Sequence, residues 1–215
     1  MPIISRNVPR PAAARLVAHL TELMREHKPP PGMPVEMRLE KVSHSEPHAV
    51  YYVSLDALAQ GRLLDAATQT SWRYLLVQDD APIAEAELSV GASGARGAKG
   101  TRAKPLQFLG LTHGPFTAAT VEALHAAERM PKVAAADYDL RLLKIPAVYL
   151  AALWLHADND DILIPMGNPP AGLKQNRPYT EKAVIKALQP VVEQTKQFHD
   201  AYSAYKRKPR GKKKS

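Results

Sequence analysis

The sequence predicts an α+β fold: a largely antiparallel sheet of about five to seven strands, covered on one face by N-terminal, middle and C-terminal helices. Three observations predict it. Runs of alternating apolar and polar residues, bounded by turn residues, recur through the middle of the chain. Apolar stripes at helical spacing stand near both ends. Apolar residues make up 45% of the 215 positions, enough for a packed core.

Residues 10–28 read as a helix with Leu16, Leu20, Leu23 and Met24 on one stripe, stopped by the prolines that follow. A short strand is expected near Val35 to Leu39. Val50 to Val53 is β-branched and aromatic and reads as a strand. Ser54 caps a short helix from Leu55 to Gln60, and Gly61 ends it. Ser71 to Gln78 and Ile83 to Val90 form the clearest hairpin, turning at Asp79-Asp80-Ala81-Pro82. In its second strand Ile83, Glu85, Glu87 and Ser89 alternate with Ala84, Ala86, Leu88 and Val90. One face of this part of the sheet is therefore expected in solvent.

Gly91 to Lys104 contains no large apolar residue and is expected to be a flexible loop. Leu106 to Leu111 resumes as a strand, broken by His113-Gly114-Pro115. Thr117 is expected to cap a helix from Ala118 to about Met130, with Val121, Leu124 and Ala127 facing the core. Asp137 to Ile145 alternates again. Ala147 to His156 is apolar on both faces, which suits a central strand or, as the alternative, a short buried helix. A turn at 157–161 leads to an exit strand, Ile162 to Met166, and a proline-rich loop. In the last helix, Thr180 to Tyr205, Val184, Leu188, Val191, Thr195, Phe198, Tyr202 and Tyr205 form a seam of period 3.5. Pro190 interrupts it, by a kink or by opening a second helix. Residues 1–205 read as one globular domain, and 206–215 as a disordered basic tail.

The formal charge is +8, but it is concentrated. Of 29 basic residues, seven lie in 206–214 with no acid among them: Lys206, Arg207, Lys208, Arg210, Lys212, Lys213 and Lys214. The remaining 22 stand against 21 acids. Arg96, Lys99, Arg102 and Lys104 in the glycine-rich segment are likewise without an acid nearby. The expected folded body is close to neutral, so its surface is not that of a basic protein. There is no cysteine, which excludes disulfides, thiolate metal sites and a cysteine nucleophile. The longest apolar run, Ile145 to Leu155, is far short of the roughly 20 residues that span a bilayer. No signal peptide is read at the N-terminus, and the chain is expected to be cytoplasmic.

Motifs that carry chemistry are sparse. The glycine segment has the order Ala98-Lys99-Gly100-Thr101, with lysine and glycine transposed relative to a phosphate-binding P-loop, and no helix follows. His156, Asp158, Asp160 and Asp161 have the residue types of a hard-cation site, but they lack the bend glycine and the distant glutamate, and they fit a tight turn. Tyr51-Tyr52 and Trp72-Arg73-Tyr74 have the stacking surfaces of a base-binding platform without its basic surround, and fit core packing. No metal or cofactor is expected.

The tail carries the strongest functional signal. Seven positive charges in nine residues, with Pro209 and Gly211, cannot fold alone, and they suit a polyanion such as RNA, DNA or an acidic surface. The first reading is a non-catalytic interaction or adaptor protein held near a polyanion by this tail, with a protein partner or self-association through the helix at 184–205. The alternative is an enzyme with a dispersed site at His113, which stands at a strand end and would need a carboxylate such as Asp139 or Asp161.

Overall fold

Strand alternation and helix stripes build one sheet with helices on both of its faces. The computed structural model describes residues 3–4, 11–26, 37–90, 106–158 and 160–207. In chain order the elements begin with β1 (Ile3–Ile4), α1 (Ala12–Glu26), β2 (Val42–His44), β3 (His48–Tyr52) and α2 (Leu55–Ala59). They continue with β4 (Thr68–Gln78), β5 (Ala81–Ser89), β6 (Phe108–Thr112), α3 (Pro115–Glu128) and α4 (Pro131–Ala134). The last are β7 (Tyr138–Ile145), β8 (Leu150–Ala157), β9 (Asp160–Pro165) and α5 (Glu181–Arg207).

The sheet order is β6-β5-β4-β3-β7-β8-β9. Two antiparallel meanders, β3 to β6 and β7 to β9, meet through the parallel pair β3–β7. Beyond β3 the column forks: β2 pairs antiparallel with β4, while β1 pairs parallel with β7. The α+β class and the mostly antiparallel sheet are as read from the sequence. The described residues form nine strands rather than five to seven, because short pieces such as β1 and β2 carry too little pattern to be seen in sequence.

Helices on a single face are the second correction. Leu142 and Leu143 are successive on β7 and so point to opposite faces. Leu142 packs with Ala119, Ala123 and Ala127 of α3, and Leu143 with Val184, Leu188 and Val192 of α5. On the α5 face, α1 lays Ala12, Leu16 and Leu20 over Trp72, Tyr74, Leu76, Ala86 and Leu88. Tyr51 joins the α1 and α5 clusters. Each fully buried leucine here contributes about 1.5–3 kcal/mol by leaving water.

Local signals explain most boundaries. Ser54 Oγ accepts from the Ala57 amide at 3.2 Å and caps α2. Asp79 and Asp80 both have positive φ, +50° and +61°, the twist that a two-residue hairpin loop requires. The Ser71–Gln78 hairpin strand is longer than read, starting at Thr68. Thr117 is not a cap. Helix α3 starts three residues earlier than expected, with Pro115 at its first position, and Gly114, at φ +91°, precedes it. The buried face of α3 is Thr117, Ala119, Thr120, Ala123 and Ala127; of the expected stripe Ala127 is fully buried, Leu124 packs at the edge of the core and Val121 is only partly buried. The expected strand at Val35 to Leu39 is not seen where described: Leu39–Lys41 is a 3-10 turn, and pairing begins at Val42. Val35 and Glu36 lie outside the described residues, as does the segment 91–104. Pro190 sits inside α5, which remains one helix from Glu181 to Arg207.

Candidate functional site

The polar face of β5 is not left to solvent as the alternation suggested. Helix α3 crosses it, and Glu85 is buried. Arg73 of β4 is fully buried beside it, with Nη1 donating to Glu85 Oε2 at 3.0 Å and to Thr120 Oγ1 at 3.2 Å. Thr120 donates in turn to Glu85 Oε1 at 2.8 Å. Next to this triad Glu87 accepts from Ser71 Oγ at 3.0 Å and pairs with Lys144 of β7. Glu87 and Lys144 keep some exposure, so only this end of the polar face meets water.

His48 lies directly across from Arg73 in the β3–β4 ladder. Burial, and then the Arg73 charge, lower its pKa from 6.5 to about 3, so it is neutral. The positive and negative charges of Arg73, Glu85, Glu87 and Lys144 cancel in pairs. The network fixes α3 on the sheet, while Arg73 Nε and Nη2 and His48 Nδ1 are buried with no hydrogen-bond partner among the described residues.

A second cluster lies on the opposite face, at the far end of β7, β8 and β9. Asp139, His156 and Asp161 are neighbours in one row across the three strands. Asp161 Oδ1 accepts from Trp154 Nε1 at 2.6 Å and lies 2.8 Å from His156 Nδ1. Arg141 Nε donates to Asp139 Oδ2 at 2.7 Å. Its guanidinium stands 4.6 Å from the Trp154 ring centroid and 5.2 Å from that of Tyr51. The carboxylate of Asp161 orients the imidazole, as half of an acid–base pair would require. No serine, threonine or lysine hydrogen-bonds to His156 among the described residues, so no nucleophile completes it.

Asp160 and Asp161 therefore do not converge. Asp160 points to the α3 face, where it pairs with Lys132 at 2.7 Å and accepts from the Tyr138 hydroxyl. These contacts, Lys132 first, hold its carboxyl below the ordinary value. Asp161 points to the α5 face. No group of three potential ligands for a metal ion exists among the described residues.

His113 is partly buried in the loop before α3. It meets neither Asp139 nor Asp161. Strand β6, which delivers it, stands four strand steps from β7, about 19 Å at ordinary strand spacing. The sequence missed that His156 is the histidine beside both acids. The signal was available: His156 and Asp161 flank one hairpin turn and must face each other. Trp72 and Tyr74 are buried under α1, so they are core residues and no platform.

The seam of the last helix divides in two. Val184 and Leu188 are buried against the sheet and α2, the next buried residue is Val192 rather than the expected Val191, and Phe198 and Tyr202 are 69% and 51% exposed. The fifteen residues after Val192 carry the helix about 22 Å further. The rings of Phe198 and Tyr202 lie parallel, 5° between planes and 6.5 Å between centroids. Lys206 and Arg207 are the last residues of α5, while Lys208, Arg210, Lys212, Lys213 and Lys214 lie outside the described residues. Among the described residues no helix is long and apolar enough to cross a membrane. Comparison with family models, with curated proteins and with solved structures found no match for this chain.

Proposed function

We propose that the protein is a non-catalytic interaction or adaptor protein of the cytoplasm, whose neutral body is held on a polyanion by the basic end of α5 and the residues after it. The observation that carries this reading is the division of α5: its first half is core, and its second half leads away from the body into the cluster of seven basic residues. Charge separated in this way lets polyanion binding act independently of the folded part. A protein partner or a second copy on the exposed half of α5 is the accompanying expectation.

The test is binding to nucleic acid as a function of salt. Seven phosphate contacts give a slope of log affinity against log salt of about −6 on duplex DNA and about −5 on a single strand. Deleting residues 206–215 should collapse both slopes. Equal binding by the deleted chain rules the reading out.

A second reading is an enzyme using His156, oriented by Asp161, as general acid or base. The row Asp139–His156–Asp161 favours it over the site at His113. A His156→Gln variant that retains every activity found for the wild-type chain rules it out.

A further inference from the structure

We infer that the protein binds one water molecule inside itself, beneath α3, coordinated by His48, Arg73 and Thr117. Seven side-chain polar atoms among the described residues are buried without a hydrogen-bond partner. Four of them belong to these three residues: Arg73 Nε, Arg73 Nη2, His48 Nδ1 and Thr117 Oγ1. The others stand elsewhere. Gln69, across the ladder from Tyr51, and Tyr74 lie on the opposite face of the sheet, and Asn176 lies in the loop after β9.

Three elements bring the four atoms together. His48 of β3 and Arg73 of β4 are direct partners in the ladder, so their Cβ atoms lie about 4.5–5.5 Å apart on one face. That face is the one under α3, since Arg73 reaches Thr120. Thr117 stands one turn before Thr120 on the same buried side of the helix. Arg73 Nη1 is committed to Glu85 and Thr120. The side edge of the guanidinium remains, where Nε–H and Nη2–H run parallel as a fork. His48, Arg73 and Thr117 are 5%, 0% and 2% exposed, so bulk solvent does not reach these groups and their partner is held within the fold.

The count of donors and acceptors selects water. Arg73 presents two N–H donors. His48 is neutral, because burial and the Arg73 charge lower its pKa, and a neutral imidazole keeps a lone pair on one nitrogen. The Thr117 hydroxyl accepts as readily as it donates. Water accepts two hydrogen bonds and donates two, which matches two donors and two acceptors. An anion only accepts, and leaves Nδ1 without a proton to bind. It would also add a buried charge where Arg73 is already balanced by Glu85. The water joins β3, β4 and α3 into one network with Glu85 and Thr120.

The first test is a crystal structure of the full chain that shows ordered solvent, with a second crystal soaked in bromide. One solvent peak should lie about 2.7–3.2 Å from Arg73 Nε and Nη2 and from His48 Nδ1, without anomalous signal in the bromide crystal. A bromide signal at that place, or no peak there, overturns the inference. The second test is nitrogen NMR of the histidine rings at neutral pH. His48 should carry its proton on Nε2 and leave Nδ1 bare. A proton on Nδ1 turns three donors toward an oxygen with two lone pairs and overturns the assignment. Thr117→Val keeps the shape of the side chain and removes its oxygen. It should lower the folding equilibrium constant by about 5-fold, and Thr117→Ser should restore it. A valine variant as stable as wild type overturns the four-way coordination on which the choice of water rests. The site is remote from the basic end of α5 in sequence, so none of these outcomes bears on the polyanion reading.

Discussion

Acidification from pH 7.5 to 5.0 should cost the fold about 2 kcal/mol through His48 alone. The side chain is buried across the ladder from Arg73, and its pKa falls from 6.5 to about 3. A base with a lowered folded pKa is kept neutral by folding, while the unfolded chain takes up the proton. The resulting stability is fully present above pH 6.5 and is lost as pH falls through the window from 6.5 towards 3, at about 1.4 kcal/mol per unit. At pH 5.0 the loss is about 1.5 units of titration, hence about 2 kcal/mol. Urea unfolding at pH 7.5 and 5.0 reads it directly, with His48→Gln as the comparison. The other histidines and the carboxylates contribute equally to both proteins, so the difference isolates His48. The wild type should lose about 2 kcal/mol more than the variant over this interval. Identical pH dependence in the two proteins would refute the burial argument.

Three further outcomes follow from the packing. Glu85→Ala leaves Arg73 charged and unpaired inside the protein and should destabilise by about 3–5 kcal/mol, whereas Arg73→Met with Glu85→Leu should recover most of the loss in the same urea assay. Asp161→Ala deprives the buried Trp154 indole of its acceptor; it should cost about 1–3 kcal/mol and shift the tryptophan emission, while an unshifted spectrum would deny that hydrogen bond. Chain termination after Gln194 should leave the melting temperature nearly unchanged, but termination after Lys186 removes Leu188 and Val192 from the core and should cost several kcal/mol.

That last contrast divides the seam, which the sequence presents as one continuous surface from Val184 to Tyr205. The 3.5 period is continuous in sequence, and nothing in it marks where the sheet ends. Only the position of β9 and α2 under the first turns decides that Val192 is the last residue to reach the core. The polar face of β5 has the same origin. Glu85 and Glu87 alternate identically in sequence, yet α3 crosses over one and stops short of the other. A charged residue on an alternating strand reads as solvent-facing until its partner is known, and the partner of Glu85 is Arg73 on the neighbouring strand.

His113 and His156 show the same limit for chemistry. Each stands at a strand end, and sequence gives no reason to prefer either beside Asp139. The strand order places β7, β8 and β9 together and leaves β6 on the opposite edge. Hairpin neighbours are legible because the turn fixes the register within a few residues, as at Asp79-Asp80 and at 157–160. The parallel pairing of β3 with β7 is not, because it joins segments separated by three strands and three helices.

The sequence by itself determined the α+β class, most strands and helices, and the concentration of the excess basic charge in its glycine-rich segment and its C-terminal end. These follow from periodicity and composition, which act over a few residues. The tertiary structure alone decided which faces are covered, which charges are paired, and where α5 leaves the body. Those depend on contacts between distant segments, and free energy of burial and of charge pairing is assigned only when the segments meet.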